Sequence, residues 1–282
     1  MENKPASIVS LSVSIVLYHS SVELLLSTIR SLYKAALRAL HEGQLESVSV
    51  MLIDNSENQN YRTAVCQILS TLEHDDFFAL KYVATMNNRG YGAGHNLGLP
   101  AVASDYHLIL NPDVGIAESA LATGLLALKN DVSLTLISPL VLGTAGEQEF
   151  LCKSYPSLLV LFLRALTPAF IHGYFETRLD RYEMREACTG NQAKEVLLAS
   201  GCFMLLRTAA FVEVGGFNEK YFLYFEDFDL SIRLGGKGRL VFYPAMEITH
   251  HGGYAASKGF RHIWLFIKSG TRFFNDHGWK WI

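Results

Sequence analysis

The stretch that decides the fold is IVSLSVSIVLYHSSVELLLSTIRSLYKAALRAL, residues 8–40. Up to Tyr18 it is rich in β-branched and apolar residues, which predicts a strand. From Val22 onward its apolar residues recur at helical spacing, which predicts a helix. A strand that leads into a helix is the repeating unit of an α/β fold.

The same unit repeats along the first half of the chain. Further strands are predicted at residues 48–53, 80–84 and 107–110, and further helices at residues 61–72 and 92–103. Because strands that alternate with helices pair in parallel, we expect a mostly parallel sheet with helices on both faces. Regular structure weakens between residues 143 and 195 and then returns, with a strand at 196–206, a helix at 228–234 and a last strand at 240–243.

We expect one catalytic domain over residues 1–255 and a helical extension over residues 256–282. In the extension, cations such as Arg261 and Lys268 alternate with aromatic residues such as Trp264. This pattern is typical of a helix that lies on a membrane surface. It is equally typical of a C-terminal helix that packs its apolar face on the core, and the sequence leaves both interpretations open.

Composition and charge exclude several classes of protein. Hydrophobic residues make up 50% of the chain, yet no uncharged stretch is long enough for a membrane-spanning helix. The start of the chain does not fit a signal peptide, since Lys4 is its lone early cation and no cleavage site follows. A formal net charge of -3 provides no basic field for nucleic acid. The four cysteines show no paired spacing, so a cytoplasmic protein without disulfides or a zinc site is expected.

Polar clusters follow two of the predicted strands directly. Asp54 and Ser56 come after one strand, and Asn111 and Asp113 come after another. In parallel sheets ligands bind beyond the carboxyl ends of the strands, so we expect a site at this edge. Asp113 offers a carboxylate for a divalent cation held against a diphosphate, although an Asn-Pro-Asp sequence also serves simply to start a turn.

The glycine-rich stretch NRGYGAGHN, residues 88–96, does not have the G-x-G-x-x-G spacing of a dinucleotide-binding fold. The interpretation of the chain as an NAD-dependent oxidoreductase therefore loses its main support. The glycines indicate close backbone approach and free N–H groups at a helix start, which suit a phosphate or its attached sugar. A plain turn between strand and helix is the alternative.

The densest motif is the acidic run Glu226-Asp227-Phe228-Asp229 among aromatic residues. Like charges and an apolar environment both raise the proton affinity of a carboxylate, as a general base for a hydroxyl requires. The structural alternative is a helix start in which Asp229 pairs with Arg233. Two histidines follow the last strand, and we prefer His250 over its neighbour as a metal ligand.

Taken in order, these motifs resemble the inverting family 2 glycosyltransferases of the GT-A fold, and most specifically bacterial rhamnosyltransferases that build O-antigen, capsule or cell-wall polysaccharide. The resemblance covers residues 7–253. It is carried by the strand ending in Tyr18, Asp54-Asn55-Ser56, the stretch 88–96, Asn111-Pro112-Asp113, SGCFML at 200–205, Gly216-Phe217, YFEDFDL at 224–230, and His250.

The resemblance implies a role for each matching residue. The nucleotide-sugar donor would be bound by Tyr18 beside the base, Asp54 and Ser56 at the base or ribose, and Arg89, Gly90, Asn96 and Asn111 around the diphosphate and the sugar. Asp113 and His250 would bind Mg²⁺ or Mn²⁺. Asp227 would be the general base, with Glu226 as its supporting neighbour.

The resemblance also implies the substrates. Asn111 stands where the family usually has its first metal-binding aspartate, and Asn-Pro-Asp is common in the rhamnosyltransferase-like branch. This favours dTDP-rhamnose as donor and a lipid-linked saccharide as acceptor, with the enzyme in the cytoplasm and attached to the inner face of the membrane if its C-terminal helix binds there. Two alternatives stay open: a transferase of galactose or a similar sugar from a UDP donor, and a non-catalytic module that binds sugar nucleotides or carbohydrate.

Overall fold

The computed structural model describes residues 8–72, 75–99, 103–166, 173–252 and 259–282. Its strands are β1 (Val9–Leu17), β2 (Leu45–Asp54), β3 (Phe78–Ala84), β4 (Tyr106–Leu110), β5 (Val114–Ile116), β6 (Leu134–Leu142), β7 (Gln148–Glu149), β8 (Lys194–Glu195), β9 (Phe203–Arg207) and β10 (Arg239–His250). Its helices are α1 (Val22–His41), α2 (Gln59–Leu69), α3 (Tyr91–Asn96), α4 (Ala120–Asn130), α5 (Leu158–Leu166), α6 (Glu176–Tyr182), α7 (Arg185–Cys188), α8 (Thr208–Glu213), α9 (Glu226–Gly235) and α10 (Phe260–His277).

The strands form one sheet in the order β3-β2-β1-β4-β9-β6-β10-β5, with β7 beside β6 and β8 beside β10. The strands β1 to β4 pair in parallel, as do β6 and β10, while β9 runs antiparallel between β4 and β6. The predicted mostly parallel α/β sheet is confirmed. Its topology brings the carboxyl ends of β1, β2, β4 and β10 to the same edge, where polar side chains can share one site.

The first helix shows why the chain folds this way locally. The Ser21 side chain caps α1 by accepting a hydrogen bond from the Leu24 N–H over 3.2 Å. Apolar residues at helical spacing, among them Leu25, Ile29 and Leu32, are buried against the sheet. Burial of this apolar stripe, rather than the intrinsic helix propensity of the sequence, is the main source of stability for such a helix.

Several predicted bounds differ from the structure. The helix predicted at 92–103 ends at Asn96, and residues 100–102 lie outside the described part. The strand predicted at 196–206 is regular only over Phe203–Arg207, since the chain turns at Gly201. The last strand continues to His250. The pair α4 and β6 was not predicted, because its long apolar run carries no clear period.

The C-terminal helix α10 packs one face on the catalytic region and exposes the other. Phe273 and Phe274 are buried in an aromatic cluster with Tyr221 and Phe225. The opposite face leaves Trp264 and other large apolar side chains in contact with solvent. Packing on the core is therefore observed. The predicted boundary between residues 255 and 256 lies outside the described residues, and the domain division stays a prediction.

No helix in the described part of the chain is both long enough and apolar enough to cross a membrane.

Candidate active site

A cavity of about 370 Å³ opens at the carboxyl ends of β1, β2 and β4, and we call it the strand-end cavity. It is lined by polar and small residues that include Tyr18, Ser20, Asn55, Asn88, Gly90, Tyr91, Asn111, Asp113, Arg261 and His262. Of these, Tyr18, Gly90, Asn111 and Asp113 were predicted as ligands of the donor or the metal. Arg261 and His262 were not, because only the fold brings the first turn of α10 to this edge.

Asp54 and Ser56 are buried and do not line the strand-end cavity. Asp54 is fully buried, accepting hydrogen bonds from the Tyr82 hydroxyl over 2.5 Å and from the Ser56 N–H over 2.7 Å, with Arg62 Nε 3.8 Å away. The Asp54 carboxylate is bound within the chain, and a contact of these two residues with a base or ribose stays a prediction. Their neighbour Asn55 lines the cavity instead.

The glycine-rich stretch approaches another backbone segment closely, as predicted, but its first N–H groups are not free. Gly90 has φ +100°, and a Cβ there would lie 2.2 Å from the carbonyl oxygen of Phe222. The N–H of Gly90 donates to Asn88 Oδ1, and that of Tyr91 donates to the same Phe222 oxygen. Both N–H groups therefore hold the loop and are not free, while the binding of a phosphate or sugar by this stretch stays a prediction.

Arg89 and Asn96 are placed away from the strand-end cavity. Arg89 forms an ion pair with Glu219. The side-chain amide of Asn96 forms two hydrogen bonds with the backbone of Phe217. It accepts one from the Phe217 N–H and donates one to the Phe217 carbonyl oxygen, each over 2.8 Å. These contacts join the glycine-rich stretch to the segment that leads into α9. Both residues therefore hold this junction, and their predicted contact with the donor stays a prediction.

Asp113 and His250 meet at the edge of the strand-end cavity, as predicted. His250 Nε2 lies 3.7 Å from Asp113 Oδ1, a buried oxygen that has no hydrogen-bond partner in the structure. The other ring nitrogen, Nδ1, lies 3.2 Å from Glu149 Oε2, so Glu149 orients the imidazole. An unpartnered carboxylate oxygen facing an imidazole fits a divalent cation as part of its shell. No group of three or more metal-binding side chains occurs among the described residues.

The acidic run begins helix α9, and its three carboxylates have different environments. Asp227 accepts hydrogen bonds from the N–H of Gly201 over 3.0 Å and from the N–H of Phe228 over 2.9 Å. Glu226 is buried, and its Oε2 has no partner. Asp229 pairs with Arg233, as predicted, and also with His277 of α10 over 2.8 Å. The predicted helix start with its Asp229–Arg233 pair is therefore present, and the catalytic role of Asp227 stays a prediction.

The two adjacent acids favour opposite protonation states. Burial, and then the charge of Asp227, raise the pKa of Glu226 to about 8, so Glu226 is protonated at neutral pH. Burial also raises the pKa of Asp227, but the N–H groups of Gly201 and Phe228 oppose that rise. Asp227 receives the N–H groups of two other residues, whereas Glu226 receives only its own N–H and its Oε2 has no partner among the described residues. The pair therefore carries its negative charge on Asp227. Asp227 is then the available base.

The backbone immediately before α9 is strained. Tyr224 and Phe225 both have left-handed φ angles, of 70° and 64°, which cost non-glycine residues free energy and persist only where the surroundings enforce them. The Phe225 ring packs against Phe266 and Phe273 of α10, with ring centroids 5.1 and 5.4 Å away. Helix α10 therefore holds the turn that places Glu226 and Asp227.

A second cavity of about 370 Å³ borders the acids, and we call it the catalytic-helix cavity. It is lined by Lys153, Leu161, Arg164, Tyr182, Tyr224, Phe225, Glu226, Asp227, Phe228 and Phe266. Lys153, Arg164 and Tyr182 were not predicted as site residues, because they come from the segment between residues 143 and 195, where the predicted regular structure weakens.

Tyr91 connects the two cavities. It lines the strand-end cavity, and its hydroxyl donates to the Gly201 carbonyl over 2.7 Å and lies 3.0 Å from Asn111 Oδ1. The N–H of the same Gly201 donates to Asp227. Burial raises the pKa of Tyr91, and Glu226, Asp227 and Asp113 raise it further, so the phenol remains a donor. Asn111, Tyr91, Gly201 and Asp227 thus form one hydrogen-bonded path between the cavities.

Similar proteins of known function are sugar transferases. The chain is 28% identical over 226 residues to the N-acetylglucosaminyl-diphospho-decaprenol L-rhamnosyltransferase of Mycobacterium tuberculosis, covering 75% of this chain and 69% of that protein. It is 29% identical over 173 residues to the rhamnosyltransferase WbbL of Escherichia coli K12, covering 57% of this chain and 61% of that protein. No protein-family model matches the chain.

Solved structures share the fold. GalNAc-T7 with UDP, GalNAc and Mn²⁺ superposes with a TM-score of 0.61 at 16% identity, over 88% of this chain. The mannosyltransferase PcManGT of Pyrobaculum calidifontis, with GDP-Man and Mn²⁺, gives a TM-score of 0.60 at 16% identity, over 92% of this chain. The chain spans 44% of the first structure's length and 61% of the second's. These neighbours confirm the predicted GT-A fold.

Proposed function

We propose a donor, an acceptor and a mechanism for this chain, which is a glycosyltransferase of the family 2, GT-A type with rhamnosyltransferases among its homologues. It transfers L-rhamnose from dTDP-rhamnose to a hydroxyl of a lipid-linked saccharide in the biosynthesis of a surface polysaccharide such as O-antigen. The observation that carries this proposal is the path of contacts from Asn111 through Tyr91 and Gly201 to Asp227, which links the strand-end cavity to the ionised carboxylate that lines the catalytic-helix cavity.

The separation of the cavities supports an inverting reaction. The donor occupies the strand-end cavity and the acceptor occupies the catalytic-helix cavity. Asp227 removes the proton from the acceptor hydroxyl as its oxygen attacks the anomeric carbon from the side opposite the departing diphosphate. Because attack and departure take place on opposite faces, the anomeric configuration inverts without a covalent intermediate. The protonated Glu226 adds no second negative charge beside the attacking oxygen.

Asp113 and His250 are the residues that would hold Mg²⁺ or Mn²⁺. Such an ion, when bound, would offset the charge that develops on the diphosphate. Glu149 fixes the imidazole of His250 in the orientation that leaves Nε2 facing Asp113. The proposal of metal dependence is supported by the Mn²⁺ in the two structural neighbours.

The nucleotide end of the strand-end cavity offers aromatic, amide and cationic groups. Tyr18 can stack with a base, and Asn55 and Asn88 present amides nearby. Arg261 and His262 add basic side chains from α10, which suit the charge of a nucleoside diphosphate. A UDP-linked sugar such as UDP-galactose is the alternative donor.

We place the enzyme in the cytoplasm, on the inner face of the membrane. The face of α10 that points away from the core exposes Trp264, Ile267 and Phe260, and Lys268 lies 5.1 Å above the Trp264 ring. Trp281 near the end of the chain is also exposed. Aromatic side chains beside lysine are typical of a helix at a lipid headgroup surface. A lipid-linked acceptor would then be reached within the membrane plane.

Two measurements test the proposed function. Isothermal titration with Mn²⁺ present compares dTDP with UDP, and we expect dTDP to bind more tightly. Release of dTDP from dTDP-rhamnose is then measured with acceptors that include N-acetylglucosamine joined through diphosphate to a prenyl chain. If the wild-type protein releases no dTDP with any acceptor and Asp227→Asn behaves identically, a non-catalytic binding module is the correct description. Tighter binding of UDP would favour the alternative donor.

A further inference from the structure

The catalytic-helix cavity has a basic wall that the proposed reaction does not use. Lys153 and Arg164 line this cavity together with Glu226 and Asp227. Lys153 is nearly buried, at 8% exposure, whereas the side chain of Arg164 is 41% exposed. Lys153 Nζ and the Arg164 guanidinium lie 5.7 and 5.5 Å from the centre of the same Tyr182 ring. The two cations therefore form a fixed pair on one tyrosine.

Three cations of this wall draw on few carboxylates among the described residues. Glu183 accepts from Arg164, lies 3.7 Å from Lys153 Nζ, and also accepts from Arg185 over 2.6 Å. Arg185 in turn pairs with Asp180 over 3.0 Å. Lys153 also donates to the Phe150 carbonyl oxygen, and Asp227 lies on the same cavity. Because one carboxylate, Glu183, serves three cations, an anionic ligand in the cavity would add favourable charge pairing for Lys153 and Arg164.

The protonation of Lys153 is sensitive to the same groups. Burial and then the charge of Arg164 lower the pKa of Lys153 to about 8, despite the opposing effect of Glu183. A bound anion would stabilise the protonated form and relieve both effects.

The cavity is apolar on its outer side. Leu161 of α5 and Phe266 of α10 line it, and Phe162 beside them is exposed to solvent. The start of α5 is bonded to the aromatic end of the chain, since the N–H of Leu159 donates to the carbonyl oxygen of Trp281 over 3.1 Å. Apolar side chains therefore line the same cavity as the two cations, and an exposed apolar side chain follows Leu161 in the chain.

We propose that Lys153 and Arg164 bind the diphosphate that joins the acceptor saccharide to its lipid carrier. The cavity offers the three kinds of group that such an acceptor requires, namely a carboxylate, two cations and apolar side chains. The sugar hydroxyl lies at Asp227, the diphosphate at the two cations, and the lipid along α5 and the exposed face of α10. This inference rests on the proposed function, because it assigns the second cavity to the acceptor.

The test compares two acceptors that differ only in the diphosphate. One is N-acetylglucosamine joined through diphosphate to a short prenyl chain, and the other is an alkyl glycoside of the same sugar without diphosphate. For Lys153→Gln and Arg164→Gln we expect KM for the first acceptor to rise about tenfold or more, because charge-assisted contacts to phosphate are lost. Activity with the alkyl glycoside and the affinity for dTDP are expected to stay unchanged.

Arg181→Gln is the matched control, since Arg181 lines a neighbouring cavity that also includes Tyr182 but not Asp227. It removes a cation from the same surface and is expected to leave both acceptors unaffected. Arg164→Gln keeps the test valid if Lys153→Gln does not fold, because Arg164 is far more exposed. Three results would overturn the inference. The variants could lose activity equally with both acceptors, or the Arg181 control could lose as much activity as the two variants. The variants could also keep full activity with the diphosphate acceptor.

A measurement of acceptor binding distinguishes a failure of this inference from a failure of the proposed function. Isothermal titration of the prenyl-diphosphate sugar, without donor, needs no turnover. If the wild-type protein binds it and the two variants bind at least about tenfold more weakly, the diphosphate site stands even where no transfer is detected. If transfer occurs but the variants bind this acceptor as the wild type does, the proposed function stands and the diphosphate site does not.

Discussion

Gly201 donates its N–H to the Asp227 carboxylate over 3.0 Å, while its carbonyl oxygen accepts the Tyr91 hydroxyl. One backbone position therefore fixes the general base and ties it to the strand-end cavity. Its location between β8 and β9 lets the sheet, rather than a side chain, set the position of Asp227. A base held by backbone donors keeps its orientation without a flexible partner.

We expect Asp227→Asn to lower kcat by about 10²–10⁴-fold, the usual contribution of a general base. The donor should still bind, because Asp227 does not line the strand-end cavity. Glu226→Gln is the matched control: it replaces a carboxyl that is already neutral and should retain most of the activity at pH 7. Rates of dTDP release and titration with dTDP measure both effects. Equal losses in the two variants would contradict the assignment of the base.

The raised pKa of Glu226 predicts a pH dependence of stability. A carboxyl group with a folded pKa of about 8 and an ordinary unfolded pKa of 4.5 favours the folded state most strongly below 4.5. That contribution is lost as the pH rises through 8. Glu226→Gln cannot ionise, so we expect it to raise the melting temperature at pH 8 by ~2–4 °C relative to the wild type. Thermal melts between pH 5 and 9 measure the difference, which should shrink toward pH 5.

Substitution of two neighbouring histidines tests the proposed metal site. His250 faces Asp113, whereas the His251 ring lies near Gly115. We expect His250→Ala to weaken Mn²⁺ binding in the presence of dTDP by about tenfold or more, as loss of a ligand does. His251→Ala should bind Mn²⁺ as the wild type does. Electron paramagnetic resonance of free Mn²⁺ measures both without turnover, and equal effects would argue against His250 as a ligand.

Gly90→Ala is expected to destabilise the protein by more than the cost of its backbone angle. The added Cβ would lie 2.2 Å from the Phe222 carbonyl oxygen, so the two segments must separate. Gly146→Ala is the control, since Gly146 has a similar φ of +85° with nothing within 4 Å of an added Cβ. We expect about 1–2 kcal/mol for Gly146→Ala and a larger loss for Gly90→Ala, from urea unfolding. Equal losses would mean that the Phe222 contact adds nothing.

The sequence was most informative where function depends on position along a strand. Asp113 and His250 come together as predicted because Asp113 lies between β4 and β5 and His250 ends β10, which pairs with β5 at Val114. It was least informative where a polar residue has a choice of partners. Arg89 and Asn96 were assigned to the donor, but Glu219 and Phe217 come close only after folding, and they bind these side chains first. Lys153 and Arg164 could not be found from periodicity, since their segment has none.

The left-handed turn at Tyr224 and Phe225 has a consequence for how the enzyme is made. The aromatic side chains that hold Phe225 belong to residues 260–277, which are synthesised after every other part of the site. All ten strands precede this helix in the chain, so the sheet can begin to fold before α10 is made. The turn that positions Asp227 gains its support, and the strand-end cavity gains Arg261 and His262, only when α10 has left the ribosome and docked. A growing chain therefore completes both cavities in the same last step.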